Sequence, residues 1–282
     1  MRIIDNIKEM QNYSQNERRQ GKEIGLVPTM GYLHDGHMAL VKTARKMCDL
    51  VVVSIFVNPI QFGQGEDFEE YPRDLNRDCN LLENAGVDIV FAPSAQEMYP
   101  RDYSSSVEVR GTIGERMCGA SRPGHFNGVT TVCTKLFHVC LPVKAFFGQK
   151  DMQQLMIIKK MVKELNFPLE IVGVPIVREH DGLALSSRNV YLNPNERQQA
   201  LILNKSLLMA QEQIIKGERD VNRLLDSIKE MILKSPQAKI DYIEILNAED
   251  LTPIEKVNGK VLVALAVKFG KTRLIDNLVV EV

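Results

Sequence analysis

Apolar positions in the first part of the chain follow two alternating patterns. Residues 24–27 and 50–57 are short apolar runs rich in β-branched side chains. Between them, apolar residues recur at helical spacing: Met38, Leu40, Val41, Ala44 and Met47. A strand, a helix and a strand in this order predict a βαβ unit with parallel strands. Because the second run is apolar at nearly every position, we expect helices on both faces of the sheet.

The same alternation continues to about residue 175. Gly86 ends one helical stretch, and Pro93 ends the apolar run that follows it. The pattern predicts helices at 5–20, 74–85, 129–140 and up to about 165, and strands at 87–92, 144–148 and 169–175. Since strands and helices alternate, we predict a doubly wound parallel sheet of the Rossmann-like α/β class.

The pattern changes after residue 176. Asn193, Pro194 and Glu196 form a helix start, with an N-cap, a proline in the first turn and an acidic residue at the third position. The sequence then predicts helices to about 216 and at 220–233, and strands at 240–246, 261–267 and 274–280. We therefore predict a sheet domain at 1–176 and a smaller α+β domain at 177–282.

Composition narrows the classes of function. The chain has 282 residues, of which 44% are hydrophobic and 25% are charged, and its formal charge is -1, which argues against general nucleic-acid binding. No stretch approaches the roughly 18 apolar residues of a membrane span, and the N-terminus lacks the apolar core of a signal peptide. We expect a cytoplasmic protein without membrane contact. The five cysteines include no Cys-x-x-Cys pair, which favours reduced thiols in the core.

Two histidines stand at the first strand-to-helix turn. Pro28 ends the strand, and His34 and His37 flank Gly36 where the helical pattern begins. A helix N-terminus presents unpaired N–H groups and the positive end of the helix dipole, and two imidazoles can add donors for the same phosphate group. The other interpretation is a loop with two solvated histidines.

Polar side chains also follow the next strand. Asn58 and Gln61 come directly after residues 50–57, at the edge of a parallel sheet where ligands bind. Their uncharged amides can hold a hydroxyl or a carboxylate group. The alternative is ordinary turn chemistry, for which Asn-Pro is equally suited.

Three further residues with ionisable side chains are candidates for a functional site. Asp78 lies on the predicted helix 74–85 and either faces a metal ion or is solvated. Arg122 and His125 belong to a Gly- and Arg-rich stretch at 111–128 and either contact an anionic substrate or support the loop.

Further along the chain, a second strand end delivers polar residues to a helix. Lys150 offers a point charge for phosphate and Asp151 an acceptor for ribose hydroxyls, with Gln154 one turn into the helix. A surface ion pair of little consequence is the alternative. In the Gly-led loop 181–189, Ser186, Ser187 and Arg188 combine two hydroxyls with a guanidinium and can clamp an oxyanion, although Ser-Ser-Arg is also common on surfaces.

Taken together, these motifs resemble the pantothenate synthetase (pantoate–β-alanine ligase) family of the HIGH-type nucleotidylyltransferase superfamily. The matching segments run through most of the chain up to about residue 200: 28–31 with His34-x-Gly-His37, 56–62, 71–73, 122–126, 147–154 and 186–189. Leu185 stands where the family usually has methionine, a swap that conserves apolar volume.

The resemblance implies a reaction of ATP, (R)-pantoate and β-alanine that gives pantothenate, AMP and pyrophosphate, with Mg²⁺, in a homodimer. It implies that His34 and His37 hold the triphosphate, with His37 as proton donor, and that Lys150, Ser186, Ser187 and Arg188 stabilise the departing pyrophosphate. The remaining ATP contacts that it implies are Met30, Gly31, Gly148, Gln149, Asp151, Val177 and Leu185. The resemblance implies that Gln61 and Gln154 hold pantoate. Asn58 is a further candidate for this contact from its place after the strand, and Asp78 is the candidate metal ligand from its place on the helix 74–85.

The implied chemistry suits these residue types. A carboxylate is already a nucleophile, so the reaction needs charge screening and in-line positioning rather than a catalytic base. Because water would hydrolyse the acyl adenylate, we expect residues 64–72 and 111–128 to cover the site. Two alternatives are a nucleotidylyltransferase that acts on a phosphate ester and a regulatory protein that binds ATP without turnover.

Overall fold

The computed structural model describes residues 1–282, which form two compact units. The first unit comprises residues 1–109, 122–149 and 154–175, and the second comprises 110–121, 150–153 and 176–282. Two short segments inside the predicted first domain, 110–121 and 150–153, thus group with the second unit. The domain boundary at 176/177 stays a prediction.

The secondary structure alternates along the chain in the predicted order. The strands are β1 (Arg2–Ile4), β2 (Ile24–Thr29), β3 (Leu50–Ile55), β4 (Ile89–Phe91), β5 (Lys144–Gly148), β6 (Glu170–Val174), β7 (Ala238–Asn247), β8 (Lys260–Phe269) and β9 (Thr272–Glu281). The helices are α1 (Ile7–Arg19), α2 (Asp35–Met47), α3 (Leu75–Asn84), α4 (Ala95–Met98), α5 (Thr112–Glu115), α6 (Met117–Ser121), α7 (His125–Cys140), α8 (Met152–Glu164), α9 (Pro194–Ala200), α10 (Ile202–Ile215) and α11 (Val221–Ile232). Short 3₁₀ turns lie at Pro59–Gln61, Gln149–Asp151 and Ser187–Tyr191.

The first unit is built on a six-stranded sheet of order β1-β4-β3-β2-β5-β6. All of its strand pairs are parallel, which confirms the predicted doubly wound α/β fold. Strand β1 was not predicted, because three residues at a sheet edge are too few to show a pattern. It pairs with β4 from Arg2 opposite Ile89 to Ile4 opposite Phe91.

The core of the first unit lies between this sheet and its helices. Helix α2 buries the apolar face that its periodicity predicts, through Leu40, Val41 and Ala44. These residues pack in one cluster with sheet residues such as Val51 and Phe146. Full burial of each large aliphatic side chain is worth about 1.5–3 kcal/mol, so this packing fixes the position of α2 on the sheet.

The second unit contains an antiparallel sheet of order β7-β8-β9. Helix α11 packs against it with a buried stripe at spacings of three and four residues: Val221, Leu224, Ile228 and Ile232. Asp220 caps this helix by accepting a hydrogen bond of 3.1 Å from the backbone N–H of Arg223. The predicted α+β character of the C-terminal part is confirmed.

The Gly-rich stretch at 111–128 differs from its prediction as a loop. It contains the short helices α5 and α6, and α7 begins at His125 rather than at 129. Its N-terminal part lies in the second unit and its C-terminal part in the first. None of the helices in the structure is both long and apolar enough to cross a lipid bilayer.

Candidate nucleotide-binding site

The order of strands in the first unit defines a switch point between β2 and β5. From β2 the chain moves to β3 and β4 on one side of the sheet, and it later returns to place β5 and β6 on the other side. Loops that follow the two central strands of such a sheet diverge and leave a crevice for ligands. The turn after β2 carries both histidines. At Gly148, the last residue of β5, an added Cβ would meet no atom within 4 Å, so this strand end is open.

His34 and His37 cap the N-terminus of α2 reciprocally. Nδ1 of His34 accepts a hydrogen bond of 3.1 Å from the backbone N–H of Gly36. Nδ1 of His37 accepts one of 3.2 Å from the backbone N–H of His34. The imidazoles therefore take the places of the Ser or Asn and the Glu of an ordinary capping box.

This capping arrangement selects one tautomer for both imidazoles. Because each Nδ1 accepts from a backbone N–H, the proton of the neutral ring must sit on Nε2. The two ring centroids are 4.1 Å apart, so His34 and His37 present two Nε2–H donors side by side. Two neighbouring donors at a helix N-terminus suit the oxygens of a phosphate chain.

Asp78 holds the turn that carries the histidines. Its Oδ2 accepts a hydrogen bond of 2.7 Å from the backbone N–H of Tyr32, and its Oδ1 accepts one of 2.8 Å from that of Leu33. Arg77 donates to the carbonyl of Leu33 at 2.9 Å and lies over the ring of Tyr32 at 4.8 Å. Tyr32 has a φ of 50°, a conformation that costs a non-glycine residue energy and needs such support.

Gly31 is required in the same turn. Its φ is 84°, and an added Cβ would lie 3.0 Å from Cγ2 of Ile55 and 3.1 Å from Oδ2 of Asp78. A side chain would therefore both strain the backbone and push against the carboxylate that holds the turn.

The surroundings of Asp78 differ from those expected of the metal ligand that its sequence position suggests. It is 1% exposed, and both of its oxygens already accept backbone N–H groups. Burial raises the pKa of Asp78 above its ordinary value, opposed by the hydrogen bonds from Leu33 and Tyr32 and by the charge of Arg77. No group of three or more His, Cys, Asp or Glu side chains in the structure could hold a metal ion. These contacts favour a role for Asp78 as a support for the turn over the role of a metal ligand.

Asn58 and Gln61 lie together after β3 and are both buried. Nδ2 of Asn58 donates to Oε1 of Gln61 at 3.0 Å and to the carbonyl of Gly128 at 3.1 Å, and its Oδ1 accepts from the hydroxyl of Tyr99 at 2.8 Å. Asn58 is thus engaged with the protein at both ends of its amide, which argues against the direct substrate contact expected from the sequence. Gln61 directs its Nε2 at the sulfur of Met30, 3.0 Å away.

Arg122 and His125 tie the predicted covering loop to helix α7. The guanidinium of Arg122 binds both carboxylate oxygens of Glu66, at 2.7 and 2.5 Å. Its third nitrogen lies 3.0 Å from Nε2 of His125, whose Nδ1 is 2.8 Å from the carbonyl of Gln61. The structure therefore gives both residues a supporting role in the packing of residues 64–72, the alternative that the sequence left open.

In the second unit, Lys150 and Asp151 form an ion pair at 3.6 Å. Their segment is fixed from two sides. Asn277 on β9 donates to the carbonyl of Lys150 at 2.8 Å. Gln153 donates to the carbonyls of Ile113 and Arg116, each at 2.8 Å, and accepts from the backbone N–H of Cys118 at 3.0 Å.

The loop with Ser186, Ser187 and Arg188 also lies in the second unit. Oγ of Ser186 accepts a hydrogen bond of 3.3 Å from the backbone N–H of Arg188, so Ser186 caps the short 3₁₀ turn that follows. At the start of this loop, Arg178 binds Asp276 through two hydrogen bonds of 2.7 and 2.9 Å. The backbone of Leu185 pairs with Val177 at 3.0 Å. Both residues expected to contact the nucleotide therefore belong to one fixed hairpin.

The expected site residues divide between the two units. The first unit contains Met30, Gly31, His34, His37, Asn58, Gln61, Gly148, Gln149 and Gln154, and the second contains Lys150, Asp151, Val177, Leu185, Ser186, Ser187 and Arg188. The supporting residues that sequence reasoning missed include Arg77, Tyr99, Asp276 and Asn277. No local pattern marks them, because their partners lie far away along the chain.

A parallel sheet with a switch point defines a Rossmann-like protein. The paired imidazole donors at a helix N-terminus beside that point suit a nucleotide phosphate. The sequence profile described as Pantoate-beta-alanine ligase matches residues 2–279. The chain belongs to the pantoate–β-alanine ligase family.

Sequence relatives match over the full chain. The chain is 62% identical to the pantothenate synthetase of Syntrophomonas wolfei and 59% identical to that of Heliobacterium modesticaldum, in each case over 282 residues and 100% of both chains.

Solved structures agree in fold. The crystal structure of pantothenate synthetase from Thermus thermophilus has a TM-score of 0.94 and 46% identity, covering 99% of both chains. A pantoate-beta-alanine ligase from Francisella tularensis, complexed with beta-gamma ATP and beta-alanine, has a TM-score of 0.81 and 36% identity, covering 99% of this chain and 97% of that one. The resemblance noted from the motifs is thereby confirmed.

Proposed function

We propose that this protein is the AMP-forming ligase that condenses (R)-pantoate with β-alanine to give pantothenate. The observation that carries the proposal is the capped pair of Nε2–H donors on His34 and His37 at the sheet switch point, in a chain whose family membership extends over residues 2–279. The Francisella relative described with ATP and β-alanine supports the choice of nucleotide and amine.

The first step joins the acid to the nucleotide. A carboxylate oxygen of pantoate attacks the α-phosphorus of ATP. The bond between this phosphorus and the oxygen that bridges the α- and β-phosphates breaks, and pyrophosphate leaves. The carboxylate needs no base, so the protein contributes positioning and charge stabilisation. The two Nε2–H donors of His34 and His37 hold the triphosphate, and the Nε2–H of His37 donates a hydrogen bond to the departing pyrophosphate. Because loss of the only proton of a neutral imidazole would leave an imidazolate, His37 stabilises the leaving group without the proton transfer that the resemblance implies.

One ammonium group, one guanidinium and two hydroxyl groups stabilise the leaving group in this proposal. Lys150 supplies a point charge, Arg188 a guanidinium that can bind two phosphate oxygens, and Ser186 and Ser187 hydroxyl donors. The nucleoside contacts come from Gly148, Asp151 and Val177, with Met30, Gly31, Gln149 and Leu185 as further ATP contacts. These roles follow the family motifs matched residue by residue.

The second step forms the amide. The amine of β-alanine attacks the acyl carbon of pantoyl adenylate, the bond to AMP breaks, and the nitrogen loses a proton. Gln61 and Gln154 hold the pantoyl group throughout. Since water would compete with the amine, the intermediate needs cover, which we assign to residues 64–72 and 111–128.

We propose that Mg²⁺ binds together with ATP. The side chains of the structure form no cluster of three metal-binding groups, and Mg²⁺ in phosphoryl-transfer enzymes is often held by the substrate phosphates and water with few protein ligands. When bound, the ion would neutralise charge on the triphosphate. We further propose that the protein works in the cytoplasm as a homodimer.

Pyrophosphate–ATP exchange with Mg²⁺ tests the proposal, with pantoate and β-alanine added separately. We expect exchange that requires pantoate and proceeds without β-alanine, because the adenylate forms first. Exchange with a phosphate ester in place of pantoate would point to a nucleotidylyltransferase instead. ATP binding without exchange or AMP formation under any of these conditions would contradict the proposal and favour a regulatory ATP-binding protein.

A further inference from the structure

We propose that Tyr99 is a positioning residue for the acid substrate, which acts through Asn58 to make the side chain of Gln61 an obligate hydrogen-bond donor. This inference rests on the proposed function, in which Gln61 holds pantoate. It predicts which substrate group the side chain of Gln61 binds. That group is an acceptor oxygen of a carboxylate or hydroxyl group, and not an amide N–H or an ammonium group.

The direction of the hydrogen bonds follows from one fixed acceptor. The backbone carbonyl of Gly128 can only accept, so the nitrogen of the Asn58 amide must face it, at 3.1 Å. The amide oxygen of Asn58 then faces the hydroxyl of Tyr99, 2.8 Å away. Tyr99 is thus the donor, because the amide oxygen of Asn58 can only accept.

The same logic fixes Gln61. Nδ2 of Asn58 has a second hydrogen, and the group opposite it at 3.0 Å must be an acceptor, which is Oε1 of Gln61. Nε2 of Gln61 therefore points away from Asn58, toward the thioether of Met30 at 3.0 Å. Met30 lies at the start of the histidine turn, so Gln61 presents its N–H groups toward the loop that follows β2.

Burial makes this arrangement rigid. Asn58 is 1% exposed and Gln61 is 8% exposed, so water does not compensate a reversed amide. Turning Gln61 around would set its NH₂ group against that of Asn58 and leave two donors without acceptors.

The hydroxyl of Tyr99 is the first donor in this series of hydrogen bonds, and its ring is itself held in place. The ring of Tyr99 packs against Phe56 with centroids 6.0 Å apart and against Tyr103 at 4.9 Å, and the ammonium of Lys135 lies 5.7 Å from its centroid. Burial raises the pKa of Tyr99 far above its ordinary value. The hydroxyl therefore keeps its proton, and its capacity to donate, throughout the neutral range.

The absence of a side chain at Gly128 lets helix α7 approach the turn at Pro59–Gln61 closely. The carbonyl of Gly128 can then accept the hydrogen bond that orients the amide of Asn58. A Cβ at this position would lie 2.5 Å from both Cα of Gln61 and the carbonyl oxygen of Ile60. Only glycine brings the helix backbone against the 3₁₀ turn at Pro59–Gln61.

The consequence is selection between the two small substrates of the proposed reaction. Any oxygen of the hydroxy acid can accept a hydrogen bond here, whereas the amino acid can do so only through its carboxylate, because Nε2 of Gln61 repels the ammonium group. A donor held in one orientation therefore excludes the ammonium end of the amino acid from this contact and gives the hydroxy acid more ways to bind.

The experiment compares Tyr99→Phe and Gln61→Glu with the wild type and with Tyr103→Phe, a control that removes a hydroxyl from the neighbouring ring. The readouts are KM for pantoate, KM for ATP and kcat in the exchange reaction, together with inhibition by the neutral primary amide of pantoate. Pantoate binding to the wild type is also measured by calorimetry.

For Tyr99→Phe we expect KM for pantoate to rise about 10-fold with KM for ATP unchanged, because the Asn58 oxygen loses its donor. For Gln61→Glu we expect a rise of about 100-fold and relatively better inhibition by the amide, because a carboxylate oxygen now faces the substrate. Tyr103→Phe should match the wild type.

Two outcomes would overturn the inference. One is a Tyr99→Phe enzyme whose KM for pantoate equals that of the wild type, and the other is a variant that loses kcat and both KM values together, as a general packing defect would. If the wild type itself neither binds pantoate nor supports exchange, the proposed function fails instead, so the two failures are distinguishable.

Discussion

The side-chain amide of Asn277 donates a hydrogen bond of 2.8 Å to the backbone carbonyl of Lys150. The preceding residue on β9, Asp276, binds the guanidinium of Arg178 through both carboxylate oxygens and also accepts from the backbone N–H of Asn277 at 2.8 Å. Two adjacent residues of β9 therefore hold two segments for which we propose contacts with ATP. One contains Lys150, and the other is the loop that begins near Arg178.

Removing the Asn277 amide should lower activity more than stability. For Asn277→Ala we expect kcat to fall about 10-fold, because Lys150 is held less accurately. Thermal unfolding should shift by only a few degrees, as for the loss of one hydrogen bond of about 1 kcal/mol. The matched control is Asn222→Ala on the exposed face of α11. Unchanged kcat in Asn277→Ala would show that Lys150 does not depend on this contact.

His37 offers a pair of variants that separate capping from ligand contact. Asn at this position can place its amide oxygen near the site of Nδ1 and keep the cap, whereas Gln can place an amide N–H near the site of Nε2. We expect His37→Asn to keep its thermal stability and lose activity by roughly two to three orders of magnitude. His37→Gln should retain more activity and lose stability. The reverse order would mean that His37 serves mainly as a cap.

Lys150→Ala tests the proposed charge stabilisation of the leaving group. We expect exchange to fall by roughly two to three orders of magnitude with the fold intact, because a cation opposite developing charge cannot be replaced by water. Circular dichroism and thermal unfolding check the fold. Near-wild-type exchange in this variant would remove Lys150 from the catalytic set.

Asp78→Asn should loosen the histidine turn. An amide oxygen can accept from only one of the two backbone N–H groups, and the new NH₂ group would face the other, at Tyr32 or Leu33. We expect a loss of about 1–3 kcal/mol in the free energy of unfolding and a higher KM for ATP. Asp102→Asn, an exposed aspartate of the same unit, is the control. If Asp78 bound an essential metal ion instead, added Mg²⁺ would partly restore activity at constant ATP.

The ion pair of Glu66 and Arg122 predicts a dependence of stability on pH. Burial alone would raise the pKa of Glu66, but the hydrogen bonds and charge of Arg122 outweigh it and hold the pKa below its ordinary value. An acid with a lowered pKa stabilises the folded state above its unfolded pKa, and this contribution is lost as the pH falls through the folded value.

Allowing for solvent screening of this partly exposed pair, we expect Glu66→Gln to be less stable than the wild type by up to about 1 kcal/mol at pH 7. The difference should vanish at pH values below the lowered pKa of Glu66. Chemical denaturation of both proteins at several pH values measures it. A difference that stays constant into the acid range would contradict the assignment.

Much of the fold could be predicted from local pattern. The strands of the central sheet, except β1, lie within a few residues of their predicted positions, and so do the long helices. These elements were predictable because apolar periodicity and helix caps act over one or two turns. The helices α5 and α6 escaped prediction because a Gly- and Arg-rich sequence has no apolar stripe. Their order comes from contacts such as that of Arg116 with Glu244 at 2.8 Å.

The sequence by itself determined the parallel α/β class and the position of His34 and His37 at a helix N-terminus, since both depend on neighbours along the chain. Only the tertiary structure decided which polar residues support others. The partners of Asn58, Asp78 and Lys150 lie 41, 45 and 127 residues away. Whether a buried amide or carboxylate meets a ligand or a backbone N–H depends on those distant neighbours, because a polar group removed from water must bond to whatever the fold places beside it.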